Sequence, residues 1–412
     1  MFDQDRPITS PDLDKLDRRE FSESIARAIL DMSPESSVTI GLIGGWGSGK
    51  TSIVNMIRQY LKIDAARRVN REDSEDSEYE LLVVDFNPWN SLESSDFVSF
   101  YFDELLSRLL SECKTLGLKE ETLNAIASNI EEYIAAMKPG MIKITSLAVF
   151  NQFQNSKPKG LMERKAAIET ALERARLRIL IVIDDLDRLP SEKIWQVKQL
   201  LTAIADFRHL SYLIAYDQEV VVDALKSLQG ISGERYLEKI VQVPIRIPDM
   251  TGAALRNEIV RSYASVLDGY CALRGIELSD DMAQRQQMLI EGIKYHIPSL
   301  RALKRVQNAF SFTLGVLGDA VDPVDVLALE ALRVLSPQGF CVIESNKSIL
   351  CIDVKNDLKV TQVDDGAFEA IISGSAARLD AGSRELVDSV AEFVFVSPRR
   401  EAACRGERRA ST

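Results

Sequence analysis

One short segment constrains the fold of this chain more than any other: the eight residues from Gly44 to Thr51 read G-G-W-G-S-G-K-T. They follow an apolar run, Val38 to Ile43, of the kind that forms a buried parallel strand. Helical spacing of apolar residues begins directly after them. A strand, a glycine-rich turn and a helix in this order predict a loop whose backbone N–H groups converge at the positive end of a helix.

Such a loop binds phosphate groups, and the pattern predicts which residues take part. Lys50 is expected to reach the β- and γ-phosphates of a nucleotide, and the Thr51 hydroxyl to ligate a magnesium ion. ATP and Mg²⁺ are therefore the predicted cofactors. The predicted nucleotide-binding residues are Gly44, Gly45, Trp46, Gly47, Ser48, Gly49, Lys50, Thr51 and Ser52.

The composition describes an ordinary globular chain that can bury a large core. Of its 412 residues 46% are hydrophobic, and the formal net charge of −12 does not indicate a nucleic-acid-binding protein, although a local basic patch stays open. The five cysteines lie singly without C-x-x-C spacing, so neither a disulfide framework nor a zinc site is predicted, and a cytoplasmic protein is expected. No run of about eighteen apolar residues occurs, so no membrane insertion is expected.

Alternating strand and helix patterns predict the fold class. Strand-like runs lie at 81–86, 179–183, 211–216 and 240–245, with helical patterns between them. This alternation predicts an α/β fold with a doubly wound, mainly parallel sheet. A charged stretch at 65–80 is expected to be a solvated loop. The expected domains are an N-terminal helical segment at 1–37, a P-loop core at 38–250 with a soluble helical insert at about 92–178, a helical lid at 251–330, and a mixed or helical region with a disordered tail at 331–412.

The strand-like run at 179–183 ends in the acidic sequence Asp184-Asp185-Leu186-Asp187-Arg188. The carboxyl ends of parallel strands meet at one edge of a sheet, so these residues are expected beside the glycine loop. Asp184 is predicted to ligate magnesium directly or through water, and Asp185 to orient and deprotonate an attacking water. Asp187 is interpreted as the cap of the following helix.

Phosphoryl transfer also calls for a cation that neutralises charge in the transition state. Arg188 is the first candidate, which makes Lys50, Asp185 and Arg188 the predicted catalytic residues. For each candidate cation the alternative is a surface ion pair. The other candidates are Lys239, Arg301, Lys304 and Arg305.

Four other residues receive a weaker interpretation. Asp217, after the strand-like run at 211–216, either senses the γ-phosphate or caps a helix. The tryptophans Trp46, Trp89 and Trp195 are expected to pack in the protein rather than to stack on bases, because basic residues are not interleaved with them.

Together these segments resemble the KAP family of P-loop NTPases, a branch of the STAND-like ATPases that includes a neuronal scaffold and a phage-exclusion protein. The resemblance rests on the tryptophan inside the loop, the acidic D-D-L-D-R motif and three further segments. Those segments are Phe86-Asn87-Pro88-Trp89, Leu237 to Pro244 with the form L-E-K-I-x-Q-x-P, and Leu329 to Val334 with the form L-E-A-L-R-V.

The resemblance implies a sheet of the additional-strand type, with one strand between the loop strand and the D-D-L-D-R strand, followed by a helical lid. Two features depart from the family pattern. Many members carry transmembrane helices between the two motifs, whereas the insert here is read as soluble. The lid motif P-R-x-x-K-R has only an altered counterpart, Pro298 to Arg305.

By function, the resemblance implies a magnesium-dependent ATPase that works as a molecular switch, with protein partners or a homo-oligomer, in bacterial anti-phage defence. The alternative is a nucleotide-bound scaffold that assembles partners without hydrolysis. A metabolic kinase is disfavoured because no acceptor site is found, and a GTPase because no N-K-x-D motif occurs. Since family members often continue with more helices, the chain is expected to stop short of an effector region.

Overall fold

The computed structural model divides into two compact units, Pro7–Asp249 and the chain from Met250 onward. Within them the structure describes residues 6–69, 79–91, 96–112, 117–137, 160–229, 233–248, 252–275, 280–318, 321–346, 374, 379–391 and 393–394. The predicted disordered tail after residue 394 and the charged stretch at 70–78 lie outside these ranges.

The first unit is built on a five-stranded parallel sheet with the order β2-β3-β4-β1-β5. β4 lies between β1 and β3, so the predicted α/β fold with one additional strand between the loop strand and the acidic-motif strand is confirmed. The strands are β1 (Thr39–Ile43), β2 (Glu80–Asp85), β3 (Leu177–Ile183), β4 (Leu210–Tyr216) and β5 (Val243–Arg246).

Helices cover both faces of this sheet. Those described in the first unit are α1 (Arg19–Leu30), α2 (Lys50–Val69), α3 (Phe97–Glu112), α4 (Glu120–Met137), α5 (Leu161–Arg174), α6 (Ser191–Gln199), α7 (Gln218–Gln229) and α8 (Gly233–Ile240). Every residue of β1 and β3 is buried, as expected for central parallel strands.

Alternate residues of each central strand contribute to two separate cores. In β3, Ile179, Ile181 and Ile183 pack into the core that contains α3, α4 and α5, whereas Leu180 and Val182 pack into the core that contains α1 and α2. This alternation follows from the period of two along a strand. The apolar run of β3 therefore holds both layers together and fixes where the acidic motif leaves the sheet.

Two predicted boundaries are wrong. Residues 65–69, predicted to be loop, continue α2, because the alanines and arginines at these positions are good helix formers that extend an existing helix. Ile240, predicted to begin a strand, is the last residue of α8, and β5 begins at Val243. The apolar character of Ile240 reflects a buried helix face instead.

The second unit is helical throughout its described part, and its buried apolar residues form one core. The helices are α9 (Gly252–Arg274), α10 (Asp280–Ile293), α11 (Leu300–Leu317), α12 (Pro323–Leu335), α13 (Pro337–Ser345) and α14 (Ala381–Ala391). None of the helices in the described ranges combines the length and the apolar character that crossing a membrane requires.

Candidate functional site

The glycine loop joins β1 to α2 and requires glycine at several positions. Gly47 and Gly49 adopt φ angles of 78° and 87°, which other residues rarely adopt. A Cβ on Gly44 would lie 2.5 Å from the Ser48 Oγ. Glycine therefore keeps the inside of the loop open at the positive end of α2, where the first N–H groups of the helix have no partner within it.

Lys50 is the first residue of α2, and its side chain lies inside the loop with only 7% of its surface exposed. Its Nζ donates to the carbonyl oxygen of Gly44 at 2.9 Å and to that of Gly45 at 3.4 Å. It also forms an ion pair with Asp187, with 3.6 Å between Nζ and Oδ2. The ammonium is thus held at the centre of the loop by two carbonyl groups and one carboxylate.

The interpretation of Asp187 as a helix cap is wrong. Its side chain is only 2% exposed and faces Lys50, while the cap residue of α6 is Pro190. The cause lies in the backbone after β3. Asp185 adopts the left-handed conformation, and a short 3-10 helix, Leu186–Arg188, follows it. This turn brings Asp187 back toward the loop, which the one-dimensional pattern of a cap does not reveal.

Asp184 and Asp185 lie at the carboxyl end of β3. Asp184 Oδ1 accepts the backbone N–H of Asp185 at 2.8 Å. Asp185 forms an ion pair with Arg188 at 2.9 Å. Burial raises the pKa of the Asp185 carboxyl above its usual value, the charge of Asp184 adds to this rise, and Arg188 opposes it. Asp185 is therefore a better proton acceptor than an exposed aspartate.

Arg188 also connects the acidic motif to the glycine loop. Its guanidinium lies over the ring of Trp46, 5.2 Å from the ring centroid. The Trp46 side chain is 66% exposed, so the prediction that it packs in the interior is wrong. The ring instead serves as a surface for the Arg188 cation. Trp89 is also exposed, whereas Trp195 packs against Tyr236.

An open cleft of about 600 Å³ adjoins these residues at the ends of β2 and β3. Asp184, Asp185 and Arg188 line it together with Asn87 and Trp89. The F-N-P-W segment thus forms a wall of the site, with the Asn87 Oδ1 accepting the N–H of Trp89 at 3.0 Å. The predicted magnesium ligand and base both face this solvent-accessible space.

Arg18 is a residue of the site that sequence reasoning missed. It is buried, and its guanidinium donates to the carbonyl of Ser48 in the loop and, at 3.3 Å, to that of Pro248 beyond β5. Arg18 thereby ties the glycine loop to the opposite end of the first unit's chain. Nothing in its local sequence distinguishes it from the neighbouring Arg19.

The other predicted residues have the following positions. Asp217 caps α7, since its Oδ1 accepts the N–H of Glu219 at 3.1 Å, and it also lies beside the loop at Gly45. A role in sensing phosphate stays a prediction. Lys239 is exposed on α8, and the remaining candidate cations, Arg301, Lys304 and Arg305, belong to α11 in the second unit.

The residues of the loop fit a bound nucleotide. Several buried polar atoms of the described residues lack a hydrogen-bond partner, and two of these, Ser48 Oγ and Asp187 Oδ1, belong to this site. The structure shows no group of three or more metal-ligating side chains in its described part. Magnesium in nucleotide sites is generally held by one or two side chains together with phosphate oxygens. Thr51 and Asp184 supply a hydroxyl and a carboxylate of the required kind.

Comparison with known proteins gives a curated relative of this chain. The chain is 26% identical over 344 residues to the phage T7 exclusion protein of Escherichia coli. The alignment covers 77% of this chain and 44% of that protein. This chain therefore spans less than half of the relative's length.

Among solved structures, the ORC2 and ORC1 proteins of Aeropyrum pernix are similar at 12% and 13% identity, with TM-scores of 0.37 and 0.34. The alignments cover 95% and 92% of this chain and 96% and 81% of those chains. The model of the KAP family P-loop domain matches residues 18–317. The resemblance drawn from the motifs is thereby confirmed, and the chain belongs to the KAP family of P-loop NTPases.

Proposed function

We propose that this chain is a cytoplasmic, magnesium-dependent ATPase that uses its nucleotide as a conformational switch in anti-phage defence. The observation that supports ATP binding most directly is the position of Lys50. Its ammonium lies buried within a loop that glycine alone keeps open, next to the amino end of α2. A site that combines one cation, converging N–H groups and a helix terminus has the chemistry that a polyphosphate requires.

The residues divide the work between binding and hydrolysis. Lys50 and the loop amides bind the phosphates, and the Thr51 hydroxyl and the Asp184 carboxylate hold magnesium. When bound, magnesium neutralises charge on the phosphate oxygens. Asp185 orients the attacking water and accepts its proton, helped by the raised pKa that burial gives its carboxyl. The guanidinium of Arg188 lies 2.9 Å from the carboxylate of Asp185 and supplies positive charge at this edge of the sheet.

The defence role is supported by the name of the relative, which describes exclusion of phage T7. A switch of this kind requires protein partners or a second copy of the chain that recognise one of its two conformations. The helical lid proposed at residues 251–330 is the part whose arrangement ATP would change.

The variant Asp185→Asn tests the enzymatic part of this proposal. It removes the base and keeps the size of the side chain, so we expect ATP binding within a few-fold of the wild type and phosphate release at least about 100-fold slower. Phosphate release with purified protein and calorimetric ATP binding measure the two quantities. Asp223→Asn, at an exposed position on α7, is the matched control.

Equal phosphate release from wild type and Asp185→Asn would exclude Asp185 as the base. Binding of ATP without hydrolysis by the wild type would favour the scaffold alternative. The wild type and Asp185→Asn also test the defence role. Bacteria that express the wild type should give fewer phage plaques than bacteria that express Asp185→Asn. Equal plaque numbers for both, and for cells without the protein, would contradict it.

A further inference from the structure

The buried carboxylate of Asp187 has no role in the proposed reaction. It neither faces the cleft beside Asp185 nor caps a helix, yet its side chain is the least exposed of the acidic motif's charged side chains that form ion pairs, at 2%. Its partner is the residue on which nucleotide binding depends. The distance of 3.6 Å between Lys50 Nζ and Asp187 Oδ2 is therefore the observation to explain.

The three polar contacts of Lys50 account for the donors of its ammonium group. A lysine has three N–H donors, and they face the carbonyl oxygens of Gly44 and Gly45 and the carboxylate of Asp187. The ammonium thus makes two hydrogen bonds and one ion pair within the protein itself. Phosphate oxygens that enter the loop must compete with these acceptors for Lys50.

The carboxylate cannot assist phosphate directly. An ionised aspartate only accepts hydrogen bonds, and so does a phosphate oxygen, so the two repel each other when they share one cation. Asp187 Oδ1 is buried and has no hydrogen-bond partner among the described residues, so solvent does not screen this charge well. A neighbouring negative charge of this kind lowers the affinity of the loop for any anion.

We propose that Asp187 is a positioning residue that holds Lys50 in the nucleotide-free loop and weakens nucleotide binding, so that the product is released. The proposal rests on nucleotide binding by this loop, as in the proposed function, but not on hydrolysis or on the identity of the base. It also explains why the acidic motif carries a third aspartate directed away from the cleft.

Asp187→Asn tests this proposal by removing the charge while keeping the shape. We expect the Kd for ADP to fall by about tenfold, the order of magnitude of one nearby charge at the effective dielectric of a protein site. Isothermal titration calorimetry with ADP and Mg²⁺ at fixed salt concentration measures it. Asp206→Asn is the matched control, because Asp206 pairs with Lys165 at 3.5 Å but is 52% exposed. Its Kd should stay within about twofold of the wild type.

Two more variants separate charge from shape. Asp187→Glu keeps the charge and should bind ADP like the wild type, whereas Asp187→Ala is neutral and should bind more tightly, as Asp187→Asn does. If Asp187 had a purely structural role, Asp187→Asn should bind ADP like the wild type, because its shape is kept, and Asp187→Glu should bind ADP more weakly, because its side chain is longer. Circular dichroism melting curves identify which variants are folded, and either neutral variant suffices.

A folded neutral variant that binds ADP no more tightly than the wild type overturns the role of Asp187 alone. If neither the wild type nor the neutral variants bind ADP, nucleotide binding itself fails, and the proposed function falls together with this inference.

Discussion

Two ion pairs at the same sheet edge differ in how they are built. Lys50 and Asp187 have side chains that are 7% and 2% exposed, whereas Arg188 and Asp185 have side chains that are 39% and 25% exposed. Removing one partner of a buried pair leaves an uncompensated charge, while an exposed pair contributes little to stability. The buried pair thus belongs to the fixed part of the site, in which Asp187 holds Lys50, and the exposed pair to the part that is free to rearrange.

This difference divides the site by function. Holding Lys50 in place reduces the conformational entropy that is lost on binding, whereas the negative charge of Asp187 opposes the entering phosphate, and the charge is proposed to have the larger effect. Groups that act on a water or on developing charge need access to solvent and to a second conformation. The open cleft next to Asp185 provides that access, and no comparable opening lines Asp187 among the described pockets.

The largest effect is expected for Lys50→Ala. It leaves the Asp187 carboxylate buried without its cation, so we expect the free energy of unfolding to fall by about 3–5 kcal/mol, together with loss of measurable ATP binding. Urea denaturation followed by circular dichroism and calorimetry measure these changes. Lys165→Ala removes the half-buried partner of the exposed Asp206 and should cost less than about 1 kcal/mol. Similar costs for both variants would contradict the distinction between buried and exposed pairs.

An intermediate effect is expected for Arg18→Ala on the buried side of the site. It removes the charged donor from the carbonyl groups of Ser48 and Pro248, which should reduce the free energy of unfolding by about 1.5–3 kcal/mol. Because Ser48 belongs to the loop, ATP binding should weaken as well. Arg19→Ala, at the next position and half exposed, is the control for both measurements. Unchanged ATP binding in a destabilised Arg18→Ala would show that Arg18 supports the fold but not the loop.

The smallest effect on stability is expected for Arg188→Ala on the exposed side. Loss of its pair with Asp185 and its contact with Trp46 should change the free energy of unfolding by less than about 1 kcal/mol. The rate of phosphate release should nevertheless fall by about tenfold or more, since its charge is proposed to act in the transition state. Trp46→Ala removes only the ring and should leave most of that rate. A large loss of stability in Arg188→Ala would show that this pair supports the fold, as the buried pair does, and would contradict the distinction between the two pairs.

Local patterns predicted the elements that carry the site. The strand before Gly44 and the helix after it needed only an apolar run and glycine spacing, and both are present as β1 and α2. The position of the additional strand came from the family resemblance, because no local pattern states which strands are neighbours. The structure provides it through the pairing of β4 with both β1 and β3.

Side-chain roles inside the site were harder to predict. Asp187 follows Asp185 by two residues, a spacing that suits a helix cap equally well, and only the left-handed backbone at Asp185 turns it toward Lys50. The apolar ring of Trp46 predicts packing in the protein, but the residue lies in the loop and is exposed to solvent. Arg18 acts through carbonyl groups 30 and 230 positions away in the chain, which no local pattern records.

The sequence by itself therefore determined the phosphate-binding loop, the parallel α/β class and the acidic strand end, because each depends on the spacing of neighbouring residues. Only the tertiary structure decided which carboxylate faces Lys50, which face the cleft, and which arginine secures the loop. These choices depend on distances between residues far apart in the chain, and burial then decides how strongly each charge acts.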